Sequence, residues 1–134
     1  MKNILLLLTL AIVSFSCQNN SASSTEALGN TKDAHGCLTS AGYRWSSVQE
    51  KCVRPWEAGI KLLISKASTD YQTAAFSVID PSKQKAEIFL AETESLILDK
   101  VAPFLYSNEE YQLIEQDNCW SLVHLGEKIY EEKK

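Results

Sequence analysis

The chain has 134 residues, of which 45% are hydrophobic and 22% charged, and its formal net charge is −4. This composition is that of an ordinary globular domain and excludes a fibrous or largely disordered chain. Apart from the pair Lys133 and Lys134, basic residues occur singly and form no cluster, so nucleic acid is not an expected partner.

The first sixteen residues have the pattern of a secretory signal peptide. Lys2 provides a positive start, and a run of ten residues from Ile4 to Val13, apolar except for Thr9, follows it. A membrane-spanning helix needs about 20 apolar residues, so a cleaved targeting segment explains the run better than a permanent anchor does. We therefore expect the mature chain to be exported.

The cysteine that follows this segment is a candidate lipidation site. The residues Ser14-Phe15-Ser16-Cys17 resemble the lipobox of bacterial lipoproteins, in the loose form found in Bacteroidetes. The resemblance implies that the chain is cut before Cys17, that the Cys17 thiol carries a lipid, and that the protein is anchored in the cell envelope, in the outer membrane of a Gram-negative bacterium. In the alternative interpretation, Cys17 is an ordinary cysteine close to a cleavage site.

Residues 17–34 are predicted to form a flexible tether. Glutamine, asparagine, serine, threonine and glycine dominate the stretch from Gln18 to Asn30, and such a composition buries too little apolar surface to order itself. The folded part is expected to begin near residue 35. A cysteine-rich and aromatic clip over 35–58 and an antiparallel β domain over 59–134 are expected to form one unit.

Lipidation of Cys17 would leave three cysteines in an oxidising compartment. Cys37 and Cys52 are fifteen residues apart, and closing a loop of that size stabilises a fold by about 3 kcal/mol in the chain-entropy account. We expect these two residues to form a disulfide and Cys119 to stay unpaired.

Within the clip, a short helix is expected between the two cysteines. Ser46 and Ser47 are each followed three residues later by glutamine or glutamate, which is the spacing of a capping box. The residue before a proline is disfavoured in the helical region. The helix is therefore expected to run from Ser46 to about Val53 and to end before Pro55.

Three aromatic residues flank the clip: Tyr43, Trp45 and Trp56. In one interpretation they pack over the disulfide and enlarge the core of a small domain. In the other they form an exposed platform for a glycan or a peptide, with Arg44 and Arg54 as polar clamps. The segment GCLTSAGYRWSSVQEKCVRPWEAG resembles a cysteine and aromatic segment of Bacteroidetes envelope lipoproteins, a resemblance that implies no activity.

After Gly59 the spacing of apolar residues changes to the alternation typical of short β-strands. Asp80 to Gln84 contains a proline among other turn residues and predicts a hairpin. Loops are expected at Ala91 to Glu94, Pro103 to Glu110 and Gln116 to Asn118. Strands are expected around Ile60/Leu62, Ala74/Phe76/Val78, Ala86/Ile88/Leu90, Leu96 to Val101, Tyr111 to Glu115, Cys119 to Leu125 and Lys128 to Tyr130. The predicted fold class is mainly β, a small antiparallel β-barrel or sandwich meander preceded by the short disulfide-clipped helix.

No motif points to an enzyme. Cys119 and His124 supply a thiol and an imidazole, but residues five apart on one strand point to opposite faces, so a structural thiol explains Cys119 better than a nucleophile does. His35 and Cys37 lie near Asp33 without the three or four ligands at recognised spacings that a zinc site requires. We expect no catalytic activity, no metal and no cofactor.

A series of residues in the second half of the chain recurs in a known family. The series consists of Asp80, the alternating Ala86/Ile88/Leu90, the stretch from Ser107 to Tyr111, Trp120 and Gly126. In this order it resembles the membrane-bound inhibitors of c-type lysozyme, bacterial lipoproteins with a small antiparallel barrel. The resemblance implies that Ser107 and Tyr111 belong to a loop that enters the lysozyme cleft and that Lys128 is the basic contact. The loop glycine of the family is Asn108 here, and glutamates occupy the next two positions.

Taken together, these patterns predict a lipid-anchored envelope protein whose β domain is a non-catalytic binding module, with lysozyme inhibition as its most concrete form. Two alternatives stay open. One is a structural or accessory lipoprotein of an envelope complex, which docks through the clip. The other is a glycan-binding module that uses Tyr43, Trp45 and Trp56. The expected partners are the membrane, through the lipid, and a protein or glycan ligand.

Overall fold

The computed structural model describes residues 31–65, 74–91 and 93–134. Within these ranges it contains ten β-strands, one short α-helix and a 3₁₀ turn at Thr39–Ala41. The elements are β1 (Arg44–Ser46), β2 (Lys51–Val53), α1 (Pro55–Ala58), β3 (Ile60–Ile64), β4 (Ala74–Ile79), β5 (Lys85–Phe89), β6 (Leu96–Ala102), β7 (Leu105–Ser107), β8 (Tyr111–Gln116), β9 (Cys119–His124) and β10 (Glu127–Glu131). The predicted signal peptide, the lipidation site Cys17 and most of the predicted tether lie outside the described residues.

Strands β3 to β10 form a closed antiparallel barrel, which confirms the predicted fold class. Each strand pairs with the next along the chain, and β10 returns to pair with β3, so the barrel has no free edge. The hairpin predicted at Asp80 to Gln84 is confirmed as the connection between β4 and β5. In it, the Asp80 N–H donates to the Lys85 carbonyl at 3.0 Å.

Aliphatic side chains fill the middle of the barrel. Inward-facing residues alternate with outward-facing ones, as the two-residue period of a strand requires. The buried members of this core are Leu62, Ala75, Ala86, Ile88, Leu98, Tyr106, Leu113 and Leu122. The barrel is therefore a packed core along most of its length.

The clip, residues 35–58, packs against the outer face of β4 and β5. Its strands β1 and β2 form a two-stranded hairpin, and the predicted disulfide between Cys37 and Cys52 is confirmed. Val53 of the hairpin packs with Val78 and Phe89, which point outward from the barrel. β4 and β5 are thus covered on both faces, which explains why four consecutive residues of β5 are buried.

Glu87 joins the clip to the barrel through a buried carboxylate. Its side chain is 0% exposed and accepts hydrogen bonds from the hydroxyls of Ser46 and Ser95, both at 2.6 Å. The Ser47 N–H donates to the same carboxylate at 3.2 Å. Since these donors come from the clip and from the segment before β6, one charged side chain ties three parts of the chain together.

The predicted helix from Ser46 to Val53 is wrong, because this segment is the β1–β2 hairpin. The hydrogen bond expected of a capping box does form, since the Gln49 N–H donates to Ser46 Oγ at 3.2 Å, but it closes a tight turn. Pro55 does not end a helix; it begins α1, because the first turn of a helix makes no use of the N–H that proline lacks. Neither helical segment in the described ranges is long and apolar enough to cross a membrane.

The loop predicted at Pro103 to Glu110 contains a strand. β7 occupies three residues in its middle and pairs with both β6 and β8. Pro103 and Phe104 form the turn before β7, and Phe104 has a φ of +59°. Three residues are too few to show an alternating pattern, so the sequence does not reveal this strand.

Ser77 provides a test of the packing inside the barrel. Its side chain is 1% exposed, and its hydroxyl has no hydrogen-bond partner in the part of the chain that the structure describes. A buried hydroxyl without a partner costs about 1 to 3 kcal/mol, so we expect Ser77→Ala to raise the free energy of unfolding by about 1 kcal/mol. Urea denaturation measures the change. The matched control is Ser46→Ala, which removes a hydrogen-bonded hydroxyl from an equally buried site. It should lower the free energy of unfolding. A loss of stability in Ser77→Ala would contradict the prediction.

Candidate functional site

The three clip aromatics do not share one open surface. The Arg54 guanidinium lies 4.6 Å from the ring centroid of Tyr43. The His35 ring stacks on Trp45 with 4.5 Å between the ring centroids. Trp56 is 52% exposed. Two of the three rings therefore already have a partner on one face, and the third is half exposed on α1.

The two arginines expected as clamps hold the clip in place instead. Arg44 donates to the carbonyls of Leu90 and Thr93 at 2.9 and 2.6 Å. Arg54 donates to the Ala41 carbonyl at 3.1 Å. Since both guanidinium groups already bind carbonyls of the chain, this region is better explained as a structural clip than as a ligand platform.

Gly42 gives a test of how tightly Trp56 is held. Gly42 has a φ of +79°, and a Cβ added there would lie 2.0 Å from Cη2 of Trp56, whereas Gly36 has a φ of +83° and open space around it. We expect Gly42→Ala to lower the free energy of unfolding by about 2 kcal/mol and Gly36→Ala by about 1 kcal/mol, because only the first adds a clash to the backbone strain. Thermal unfolding of the two variants measures the difference. Equal losses would show that Trp56 moves aside without cost.

Ser107 and Tyr111 flank the short loop between β7 and β8. The Ser107 hydroxyl donates to the Asn108 carbonyl at 3.0 Å, and Asn108 Oδ1 accepts from the N–H groups of Glu110 and Tyr111 at 3.0 and 2.7 Å. The Tyr111 ring stacks on His124 with 4.4 Å between the ring centroids. Both predicted contact residues thus make bonds or ring contacts that order the loop itself.

Lys128 is not brought to this loop. It pairs with Val123 on β9, whereas Tyr111 pairs with His124 of the same strand, so the Lys128 and Tyr111 side chains lie on opposite faces of the sheet. Lys128 Nζ lies 3.2 Å from the Glu131 carboxylate. The residues that the resemblance groups together therefore do not form one contact surface.

Cys119 and His124 lie at the two ends of β9, about 17 Å apart at the rise of an extended strand. Cys119 is half-buried and carries no disulfide, and its Sγ donates to the Glu132 carbonyl at 3.0 Å. The thiol and the imidazole are therefore out of reach of each other.

A cavity of about 470 Å³ opens at one end of the barrel, where the turns before β5, β7 and β9 lie. We call it the barrel mouth. Its volume is within the range of about 300–1,000 Å³ that is typical of small-ligand sites. The lining residues used below are Asp80, Lys83, Lys100, Phe104, Tyr106, Glu115 and Trp120.

Aromatic rings bound the barrel mouth from the core to the rim. Tyr106 belongs to the buried core, and Trp120 packs beside it with 6.1 Å between the ring centroids. Phe104 is 63% exposed at the rim, and its carbonyl is fixed by the Glu115 N–H at 3.0 Å. A wall of this kind suits a ligand with an apolar or flat body.

Two carboxylates influence the inner part of the barrel mouth. Burial raises the pKa of the Tyr106 hydroxyl, and the negative charges of Asp80 and Glu115 raise this pKa further. Burial also raises the pKa of Asp80, but hydrogen bonds donated by N–H and hydroxyl groups of its own turn outweigh that effect and leave the pKa lowered. The Asp80 carboxylate is thus engaged in the turn, whereas the Glu115 carboxylate has no hydrogen bond or ion pair among residues 31–65, 74–91 and 93–134.

The sequence patterns did not identify the barrel mouth as a site. Its residues come from separate strands and turns between positions 79 and 120. The sequence does contain one signal. Lys100, Glu115 and Trp120 occupy inward positions near strand ends, where aliphatic residues would be expected if the pattern of the core continued.

Comparison of the chain with protein family models, with curated proteins and with solved structures finds no match. We therefore interpret the site from its geometry.

Proposed function

We propose that the protein is a non-catalytic binding module of the cell envelope that binds its ligand at the barrel mouth. The cavity carries this proposal, because it combines a buried floor, aromatic walls and a small number of charged groups. This composition is typical of small-ligand sites, and the mouths of β-barrels are one of their preferred locations.

The envelope location is supported by two features. The disulfide between Cys37 and Cys52 suits an oxidising compartment, and the signal-peptide pattern before Cys17 favours export to such a compartment. We propose that a lipid on Cys17 holds the mature protein at the outer membrane. Intact mass measurement of the protein from its native envelope should give a lipid-modified chain that begins at Cys17. An unmodified N-terminus at another residue would contradict the anchor.

Ligand binding at the barrel mouth can be tested with a library of fragments that covers cationic, anionic, zwitterionic and neutral compounds. We expect some fragments to shift the indole N–H resonance of Trp120 in proton–nitrogen correlation spectra of the full chain in neutral detergent micelles. Phe104→Ser, at the exposed rim, should weaken these shifts several-fold, whereas Leu125→Ser, an exposed residue in the turn between β9 and β10 at the other end of the barrel, should leave them unchanged. Absence of any shift at Trp120 would contradict the proposal.

Inhibition of c-type lysozyme is a second candidate function, favoured by the closed antiparallel barrel and by the exposed residues 108–110 between β7 and β8. Glu109 and Glu110 would approach a cleft with catalytic carboxylates, and such like-charge contact opposes binding. If the loop enters the cleft, the protein at low salt should slow lysis of cell walls, and Glu109→Gln with Glu110→Gln should strengthen the effect. If a large molar excess of the parent protein or of the double glutamine variant over lysozyme left the rate of lysis unchanged, this function would be excluded.

A further inference from the structure

The charged groups of the barrel mouth that have no partner lie on two sides of it. Glu115 on β8 and Trp120 on β9 are cross-strand partners, so the carboxylate lies beside the indole. In the closed order of eight strands, β8 lies four strands from β4 and β9 lies four strands from β5 in either direction. Lys83, in the turn between β4 and β5, therefore lies across the mouth from Glu115 and Trp120. Lys100, on β6 two strands from β8, lies beside the Lys83 turn, because its N–H donates to the carbonyl of Gln84 at 2.8 Å.

The charges on these walls are available to a ligand. Within the described residues, neither the Glu115 carboxylate nor the ammonium groups of Lys83 and Lys100 make an ion pair or a hydrogen bond. The Asp80 carboxylate is different, because it accepts from the Ser82 hydroxyl and from two N–H groups of its turn. The side of Glu115 and Trp120 is thus negative and aromatic, and the other side carries two ammonium groups without a partner beside the Asp80 carboxylate, which its own turn binds.

This division of charge selects one class of ligand. A purely cationic ligand would face two ammonium groups, a purely anionic ligand would face the Glu115 and Asp80 carboxylates, and like-charge contacts oppose binding. A neutral apolar ligand would cover the half-buried Glu115 carboxylate without pairing it, and an unpaired charge is costly to bury. A ligand that carries both charges avoids all three penalties.

We infer that the barrel mouth binds a small zwitterion with an apolar body, such as an amino acid or a short peptide with free ends. Its ammonium group pairs with Glu115 over the face of Trp120, where cation–π attraction adds to the ion pair. Its carboxylate pairs with Lys83 and Lys100. The inference rests on the proposed function, because it names the ligand class of the same site.

Three dipeptides with the same side chains test the inference. The probes are phenylalanyl-alanine with free ends, its N-acetylated form and its C-terminal amide, each titrated into the full chain while the Trp120 indole resonance is followed. We expect the free dipeptide to bind with a Kd at least about tenfold lower than either blocked form, which corresponds to about 1.4 kcal/mol for each lost ion pair. Equal affinity of the three probes would overturn the inference.

Substitutions of similar size test the ion pair with Glu115 and the ion pair with the two lysines separately. Glu115→Gln should abolish the difference between the free and the N-acetylated dipeptide and leave the difference from the amide. The double variant Lys83→Met, Lys100→Met should abolish the difference between the free dipeptide and its amide and leave the difference from the N-acetylated form. Correlation spectra that keep the dispersion of the parent protein show that the variants are folded. The inference would be contradicted if Glu115→Gln kept the preference over the N-acetylated form and the lysine double variant kept the preference over the amide.

Further probes distinguish an amino acid from a peptide as the ligand. They also distinguish a failure of the zwitterion inference from a failure of the proposed function. Free phenylalanine, titrated beside the dipeptide, shows whether an amino acid or a peptide end is the better ligand. If uncharged fragments shift Trp120 while the free dipeptide does not, the zwitterion inference fails and the proposed function stands. If neither fragments nor dipeptides shift Trp120, both fail.

Discussion

Replacement of Glu87 by alanine is expected to lower the free energy of unfolding by about 3 to 5 kcal/mol. The carboxylate is 0% exposed and accepts from two hydroxyls at 2.6 Å, those of Ser46 and Ser95, and from the Ser47 N–H at 3.2 Å. The change leaves these donors buried without an acceptor and opens a cavity between the clip and the barrel. Urea denaturation followed by circular dichroism measures the loss.

Glu87→Gln separates the effect of the hydrogen bonds from the effect of volume. The amide keeps the size of the side chain and one acceptor oxygen, and the hydroxyls of Ser46 and Ser95 can rotate to accept from its NH₂ group. We expect Glu87→Gln to lower the free energy of unfolding by about 1 to 2 kcal/mol, so that its stability lies between those of the parent protein and of the alanine variant. A loss of less than about 1 kcal/mol for Glu87→Ala would show that this carboxylate does not hold the clip to the barrel.

Glu87 also marks the limit of what the alternating pattern of β5 reveals. The strand predicted around Ala86/Ile88/Leu90 is confirmed, and Ala86 and Ile88 belong to the barrel core, but simple alternation would leave Glu87 facing solvent between them. The outer face of β5 is buried because the clip covers it, and the Ser46 hydroxyl that binds Glu87 is 41 residues away in the chain. Burial by a distant segment leaves no trace in a local pattern.

Local signals also fail where two structures use the same hydrogen bond. The bond from the Gln49 N–H to Ser46 Oγ occurs in a helix cap and in a tight turn alike, so the serine and glutamine spacing does not distinguish them. Strand pairing with Lys51–Val53 decides for the hairpin, and this pairing is supported by the disulfide and by the contact of Val53 with Phe89. Tertiary contacts here override a local preference.

The barrel mouth lies beyond prediction for a different reason. Lys83, Lys100 and Glu115 each resemble an ordinary charged surface residue when they are taken alone. The pairing of β5 with β6 brings Lys100 beside the β4–β5 turn, and the closure of β10 on β3 places that turn opposite β8 and β9. The existence of strands follows from their alternation, whereas the closure that assembles the site depends on the complete order of eight strands.

Removal of the disulfide is expected to have the second large effect on stability. The double variant Cys37→Ser, Cys52→Ser frees a loop with a sequence separation of 15, and the chain-entropy account gives a loss of about 3 kcal/mol in the free energy of unfolding. The loop carries the β1–β2 hairpin, so its release also weakens the cover over Phe89. Urea denaturation of the oxidised parent protein and of the variant measures the loss, and reduction of the parent should reproduce it.

Cys119→Ser is the matched control for this prediction, because Cys119 is a free and half-buried cysteine whose hydrogen bond a serine hydroxyl can replace. Its stability should stay within about 1 kcal/mol of the parent. The disulfide and Glu87 hold the same clip, so the losses of Glu87→Ala and of the double serine variant should not add when they are combined, and a double-mutant cycle measures this coupling. Fully additive losses would mean that Glu87 and the disulfide stabilise the protein independently. If Cys119→Ser lowered the free energy of unfolding as much as the double serine variant does, the disulfide would not be the cause of the loss.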